Sequence, residues 1–396
     1  MKVGLLVPSI YMQKKYLETR ISAPMKLALV MAKYLKRRGH EVIFFAGPDV
    51  PTEATVVSSD TELLDERLIL DYQQDIPKDS YKTLTLYETK KYYELGLTLR
   101  AYQYAKEHNV DVMHQYHSLG NLSHYFEDVY KIPTVYTLHI LPPEVGTLTN
   151  WRYRKFNKSH FIGISQSQKK MFEDVVPNIN IVNVIQHGVE LDSIEYNEIP
   201  EDYYAFIGRL IPEKGLDRAI QAISGTDNLK VATWINPVIE ETEYYQKEIK
   251  PFISQKHVEI LGLLDEQKRN NFLKNAKAFI FPLRWEEPFG MVLIEAMACG
   301  TPVIAFAKGS IPEIIRDGET GFIVNSSDDD KRGDWIIKST GIQGLREAIA
   351  KLNSLSSEEY RQMRKNCREL VEKKFSAELM AENYEKVYKN LASNSI

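Results

Sequence analysis

The 396-residue sequence has little cysteine, no long apolar run and no basic excess, and each shortage excludes a class of protein. Two cysteines, Cys299 and Cys367, are too few for a disulfide framework or an all-thiolate zinc site, and they fit a reducing compartment. No stretch approaches the roughly 20 apolar residues that a membrane-spanning helix needs. The opening Val3-Gly4-Leu5-Leu6-Val7 meets Pro8 before a secretory segment can form; it reads as a buried strand, and a cytoplasmic location is the expectation. Lys and Arg number 50 against 54 Asp and Glu, a net charge of −4 that argues against a nucleic-acid partner. No G-x-G-x-x-G or Walker sequence occurs, which counts against a nicotinamide dehydrogenase or a nucleoside triphosphatase.

What is present is a globular composition, 43% hydrophobic and 26% charged, at a length suited to two domains. Short β-prone runs alternate with helical spacing through both halves. In the first half the runs are Val3–Val7, Glu41–Ala46, Asp111–His114, Pro133–Leu138 and Phe161–Ser165. A helix starts near Pro24, with Leu27, Val30, Met31, Tyr34 and Leu35 on its buried face. Residues Pro48 to Lys91 read as mixed loop and helix. After the acidic stretch Glu190–Glu201 the rhythm restarts, with strands expected at Tyr203–Ile207, Lys230–Ile235, Val258–Leu261, Ala278–Phe281, Pro302–Phe306 and Gly321–Val324. The fold class is therefore α/β, two Rossmann-like doubly wound domains facing across a cleft. The expected boundaries are 1–190 for the first domain and 198–376 for the second.

In such sheets ligands bind beyond the carboxyl ends of the strands. The run Arg284-Trp285-Glu286-Glu287-Pro288-Phe289-Gly290-Met291-Val292-Leu293-Ile294-Glu295-Ala296-Met297-Ala298-Cys299-Gly300 follows an expected strand and enters a helix near Gly290. Two carboxylates, Glu287 and Glu295, are separated by seven residues, and each can accept a pair of hydroxyl hydrogen bonds. An isolated pair of this kind is usually a first-turn carboxylate and a solvated one. Glu295, however, interrupts an apolar helix, and a buried carboxylate needs partners. A second run, Gly208-Arg209-Leu210-Ile211-Pro212-Glu213-Lys214-Gly215, puts two cations and loop N–H groups just before a helix, where a diphosphate would be held.

These runs resemble the E-x7-E and phosphate-loop motifs of retaining GT-B glycosyltransferases of the glycogen-synthase-like and sucrose-synthase-like group, family 4 type. Gly309-Ser310-Ile311-Pro312-Glu313, Asp317-Gly318-Glu319-Thr320-Gly321 and the closing Phe375–Tyr388 segment fit as well. The resemblance implies that a C-terminal helix at about 377–396 returns to the first domain, 1–190, which would be the acceptor side, and that 198–376 would be the donor-binding domain. In the first half, Asp111–His117, Tyr136-Thr137-Leu138-His139 and Asn183–Glu190 are similar to the same group. The resemblance implies transfer of a sugar from a nucleotide diphosphate sugar, by family frequency a UDP-sugar, to an acceptor hydroxyl with retained configuration. It implies no metal and no cofactor, the nucleotide sugar being a co-substrate. Arg209 and Lys214 would hold the diphosphate, with Gly208 in the same turn; Glu295 would hold the ribose, and residues near Leu263 would border the base. Glu287, with N–H groups near Phe289, Gly290 and Met291, would grip the donor sugar, and His139 would contact that sugar from the other domain. Acceptor-side candidates are Arg20, His117 and His139; the acceptor is a carbohydrate, a lipid-linked molecule or a small molecule. The segment Ser9–Ala23 departs from the group's pattern in having no glycine.

Other signals have blander readings. His114 and His117 are too few to make a metal site, and Asp328-Asp329-Asp330 reads as a solvated loop. Trp151-Arg152-Tyr153-Arg154-Lys155, followed by Lys158, reads as a solvated helix face, with peripheral contact at an anionic membrane surface as the alternative. A nucleotide-sugar epimerase of the same fold and a non-catalytic nucleotide-sugar-binding protein are the rival functions.

Overall fold

The computed structural model describes residues 1–17, 22–65, 81–116, 122–223, 227–253 and 257–393. The chain forms two compact units, Met1–His187 with Ala377–Ile396, and Gly188–Ser376.

The first unit is built on a seven-stranded sheet: β1 Lys2–Leu6, β2 Glu41–Phe45, β3 Thr55–Val57, β4 Val112–Gln115, β5 Thr134–Thr137, β6 His160–Gly163 and β7 Ile181–Val184. The order is β3-β2-β1-β4-β5-β6-β7, with every pairing parallel. Central strands are buried on both faces and therefore read as unbroken apolar runs. Leu5, for example, lies between Phe44 and His114 in register. Helix Ala23–Arg37 buries Met25, Leu27, Ala28, Met31, Ala32, Tyr34 and Leu35. Val30, expected on that face, is only half-buried, because the stripe centres on Met31 and Leu35 and Val30 falls at its rim. The stretch Pro48–Lys91 holds β3, the short turn Thr61–Leu64 and the start of a long helix, Tyr81–Glu107.

The C-terminal helix Ala377–Ser393 belongs to this unit, and a buried polar cluster shows why. His114 shares hydrogen bonds with the Tyr388 hydroxyl (2.5 Å) and the Thr137 hydroxyl (2.7 Å), and Thr137 with the Tyr384 hydroxyl (2.8 Å). Burial holds the His114 imidazole neutral, its pKa lowered to about 3. Arg38, at the end of helix Ala23–Arg37, adds an ion pair to Glu385 at 2.6 Å.

The second unit has a six-stranded sheet: β8 Tyr204–Ile207, β9 Leu229–Ala232, β10 Val258–Ile260, β11 Ala278–Phe281, β12 Val303–Phe306 and β13 Gly321–Val324. Its order is β10-β9-β8-β11-β12-β13, again parallel throughout. Arg364, fully buried on helix Ser357–Lys374, donates to the carbonyls of Asn197, Lys274 and Ala276, which supply its buried guanidinium with acceptors. The strand order reverses between β8 and β11, so the loops after these two strands diverge and leave a crevice at their carboxyl ends. Both motif-bearing runs of the sequence are those loops. No helix among the described residues is long and apolar enough to cross a membrane.

Candidate active site

The turn after β8 runs through a single 3-10 turn, Pro212–Lys214, into helix Leu216–Ala222. Gly215 joins them at φ +73°, and a Cβ there would lie 2.2 Å from the Pro282 carbonyl oxygen, so the turn closes on the end of β11 only with glycine. Arg284 fixes the same approach from the other side. It forks onto Asp217, Nη1 to Oδ1 at 2.8 Å and Nη2 to Oδ2 at 2.5 Å, and its backbone N–H donates to the Glu213 carbonyl at 2.9 Å. The two loops are thus locked together by contacts within the protein.

This brings Lys214 to Glu287. Lys214 Nζ lies 3.0 Å from Glu287 Oε2, with both side chains mostly buried. Trp285 Nε1 donates to the same oxygen at 2.9 Å, and the Lys214 ammonium sits 4.5 Å from the Trp285 ring centroid. Gly208 packs beside Lys214, whose Cβ would be 3.5 Å from an added Cβ. Arg209 is exposed on this turn and makes no ion pair among the described residues.

Helix Met291–Ala298 follows, with Gly290 at its N-cap position. Leu293 N–H already bonds to the Gly290 carbonyl, whereas the N–H groups of Met291 and Val292 have no partner within the helix. Phe289 is buried, and its carbonyl accepts from the Ser310 hydroxyl at 2.8 Å. Leu293, Ile294, Ala296, Met297 and Ala298 are buried, and Glu295 is mostly so, its Oε1 3.2 Å from Arg269 Nη2. Leu263, after β10, is 52% exposed. One end of this unit therefore presents two carboxylates, two cations and the head of a helix, a set able to bind a polyhydroxylated anion.

In the first unit His139 follows β5, and its ring stacks between Tyr116 (centroids 5.7 Å apart, planes at 25°) and His187 (5.3 Å, 20°). Arg20 and His117 lie outside the described residues. His114 belongs to the buried cluster under the C-terminal helix, so its place is structural. Asp330 departs from the solvated reading given to Asp328–Asp330. Although partial burial opposes it, hydrogen bonds from Lys308, Ser326 and Arg332 hold its carboxyl well below the usual range. Arg284, Trp285 and Glu286 open the same run as Glu287, yet the sequence alone assigns them no role. Their adjacency to Glu287 was the available signal.

Two family models divide the chain between them. Residues 26–193 match the model described as Glycosyltransferase Family 4, and residues 193–351 the model described as Glycosyl transferases group 1. The chain is a glycosyltransferase. A glycosyltransferase of Methanocaldococcus jannaschii is 28% identical over 333 residues, covering 80% of this chain and 87% of that one. Among solved structures, sucrose-phosphate synthase from Thermosynechococcus elongatus aligns with a TM-score of 0.70 at 19% identity, covering 99% of each chain. HepE of Anabaena, in complex with UDP-glucose, aligns with a TM-score of 0.68 at 16% identity, covering 98% of this glycosyltransferase and 100% of that chain. These likenesses give the glycosyltransferase the GT-B fold, two Rossmann-like α/β domains.

Proposed function

We propose that the enzyme transfers a sugar from a nucleotide diphosphate sugar to an acceptor hydroxyl, with retention and without a metal. The observation that carries this reading is the pairing of Lys214 with Glu287 at the carboxyl ends of β8 and β11, with Arg209 exposed on the same turn. A diphosphate there meets two cations that stabilise charge developing on the leaving phosphate. Glu295 takes the ribose hydroxyls, Leu263 borders the base, and Glu287 with the N–H groups heading helix Met291–Ala298 takes the glycosyl hydroxyls. His139 is the acceptor-side candidate of the first unit. UDP is the expected nucleotide, in keeping with the UDP-glucose of the HepE complex.

The acceptor oxygen attacks the anomeric carbon on the face that the phosphate leaves. The carbon–phosphate-oxygen bond breaks, a carbon–oxygen bond to the acceptor forms, and the departing phosphate oxygen takes the acceptor's proton. No protein nucleophile is needed, so catalysis rests on positioning and electrostatics. The test is nucleotide release from a panel of nucleotide sugars, with the anomeric configuration of the product read by NMR. Release of one nucleoside diphosphate with a retained linkage supports the reading. An inverted product, or dependence on added divalent metal, contradicts it.

A further inference from the structure

Consecutive glutamates in the loop after β11 are captured by consecutive amides of the loop after β12. Gly309 N–H donates to the Glu286 carboxylate (Oε2, 2.6 Å), and Ser310 N–H donates to the Glu287 carbonyl (2.9 Å). The contact is close: Gly309 sits at φ +57°, and a Cβ there would lie 2.2 Å from the Glu287 carbonyl oxygen. The Glu286 carboxylate then meets the Arg332 fork, Nη2 to Oε1 at 2.7 Å and Nη1 to Oε2 at 2.6 Å. Arg332 is itself held by the Asp330 carboxylate at 2.7 Å, and its backbone N–H by the Asn325 side-chain oxygen at 2.8 Å. Lys308 donates to Asp330 and lies 3.7 Å from Glu286. Four charged side chains thus tie together the loops that follow β11, β12 and β13.

None of these four groups has a part in the donor chemistry above. Their effect falls on Glu287. Its carboxylate is held by Lys214 and Trp285, and Lys214 is the group that a diphosphate would draw away. The restraint that survives ligand binding is the one on the backbone. We propose that Glu286 is a positioning residue. Clamped by Arg332 and Gly309, it sets the place from which Glu287 meets the donor's glycosyl group. The inference rests on the nucleotide-sugar reading of this site. It separates two parts of donor recognition, the nucleoside diphosphate gripped by other residues and the glycosyl group gripped by Glu287.

The experiment compares wild type with Glu286→Ala, Glu286→Gln and Arg332→Lys. For each, kcat is measured with the nucleotide sugar that wild type consumes. Affinity for the matching free nucleoside diphosphate (UDP, GDP or ADP) is measured by calorimetry. Glu286→Ala is expected to lower kcat about tenfold or more, as a small misplacement of a positioned group does, while nucleoside diphosphate affinity stays within about twofold. Glu286→Gln keeps an acceptor for Gly309 and Arg332→Lys keeps the charge without the fork, so each should recover part of the rate. Wild-type kcat in Glu286→Ala, or parallel loss of kcat and nucleotide affinity, overturns the proposal. If Glu286→Ala does not fold, Glu286→Gln reads the same split between rate and affinity. A wild-type protein that neither binds a nucleoside diphosphate nor consumes any nucleotide sugar overturns the underlying reading instead.

Discussion

Lys214 and Glu287, 73 residues apart in sequence, form an ion pair at 3.0 Å where the loops after β8 and β11 meet. The pair joins the group proposed for the diphosphate to the group proposed for the sugar. The carboxylate therefore occupies the cation proposed for the phosphate.

Replacing that carboxylate should separate binding from transfer. Glu287→Gln frees Lys214 and removes a negative charge from the phosphate site, so nucleoside diphosphate affinity should be unchanged or severalfold tighter. Transfer should fall by about 100-fold or more, since the glycosyl hydroxyls lose their charged acceptor in the transition state. Calorimetry with the free nucleotide and steady-state rates with its sugar check both halves. Weaker nucleotide binding in this variant would contradict the assignment.

Trp285 should report ligand entry. Its indole N–H is bonded to Glu287 and its ring carries the Lys214 ammonium, so displacing Lys214 changes both contacts. Nucleotide addition should alter tryptophan emission in wild type. The change should vanish in Trp285→Phe, although Trp151, Trp234 and Trp335 remain. An undiminished change in that variant would move the ligand elsewhere.

The pH dependence of stability follows from the buried histidines of the first unit. His114, His124 and His187 all have pKa values lowered to about 3 by burial, against about 6.5 in an unfolded chain. Unfolding therefore takes up protons between these values. The stability each provides is complete above pH 6.5 and is lost as pH falls toward 3. Urea unfolding of wild type should shift to lower denaturant from pH 7 to pH 5. His114→Gln should be less stable at pH 8 by about 2 kcal/mol, because the Tyr388 and Thr137 bonds are disturbed. Its acid slope should also be shallower, with one buried imidazole fewer to protonate. An acid slope as steep as that of wild type would show that His114 is not the neutral group described here.

Much of the fold is legible in the sequence because doubly covered parallel strands are apolar from end to end, as in Ala278–Phe281 and Val303–Phe306. The edge strands Thr55–Val57 and Ile181–Val184 were not legible. They are short, and partial exposure admits residues such as Asn183, so neither forms an apolar run. The long helix Tyr81–Glu107 is Tyr-, Thr- and Lys-rich and lacks a clear apolar stripe. In the site, Arg209, Lys214, Glu287 and Glu295 stand out because glycines and an apolar helix frame them. The partners that hold them do not. Arg332 meets Glu286 across 46 residues, and Asp217 meets Arg284 across 67, and long-range ion pairs leave no local pattern. His114 shows the converse: a histidine at a strand end marks a site only if its ring is not already taken up by the core, as this one is by Tyr388 and Thr137.

The central claim is that the second unit binds a nucleotide diphosphate sugar through the turn after β8 and the helix that carries Glu295. The most direct measurement is thermal stabilisation of wild type, Arg209→Ala and Glu295→Ala by a panel of UDP-, GDP- and ADP-sugars. The account predicts that one nucleotide stabilises wild type by several degrees at millimolar concentration and that both variants lose most of that shift. Full stabilisation of either variant, or none of wild type by any donor, would contradict it.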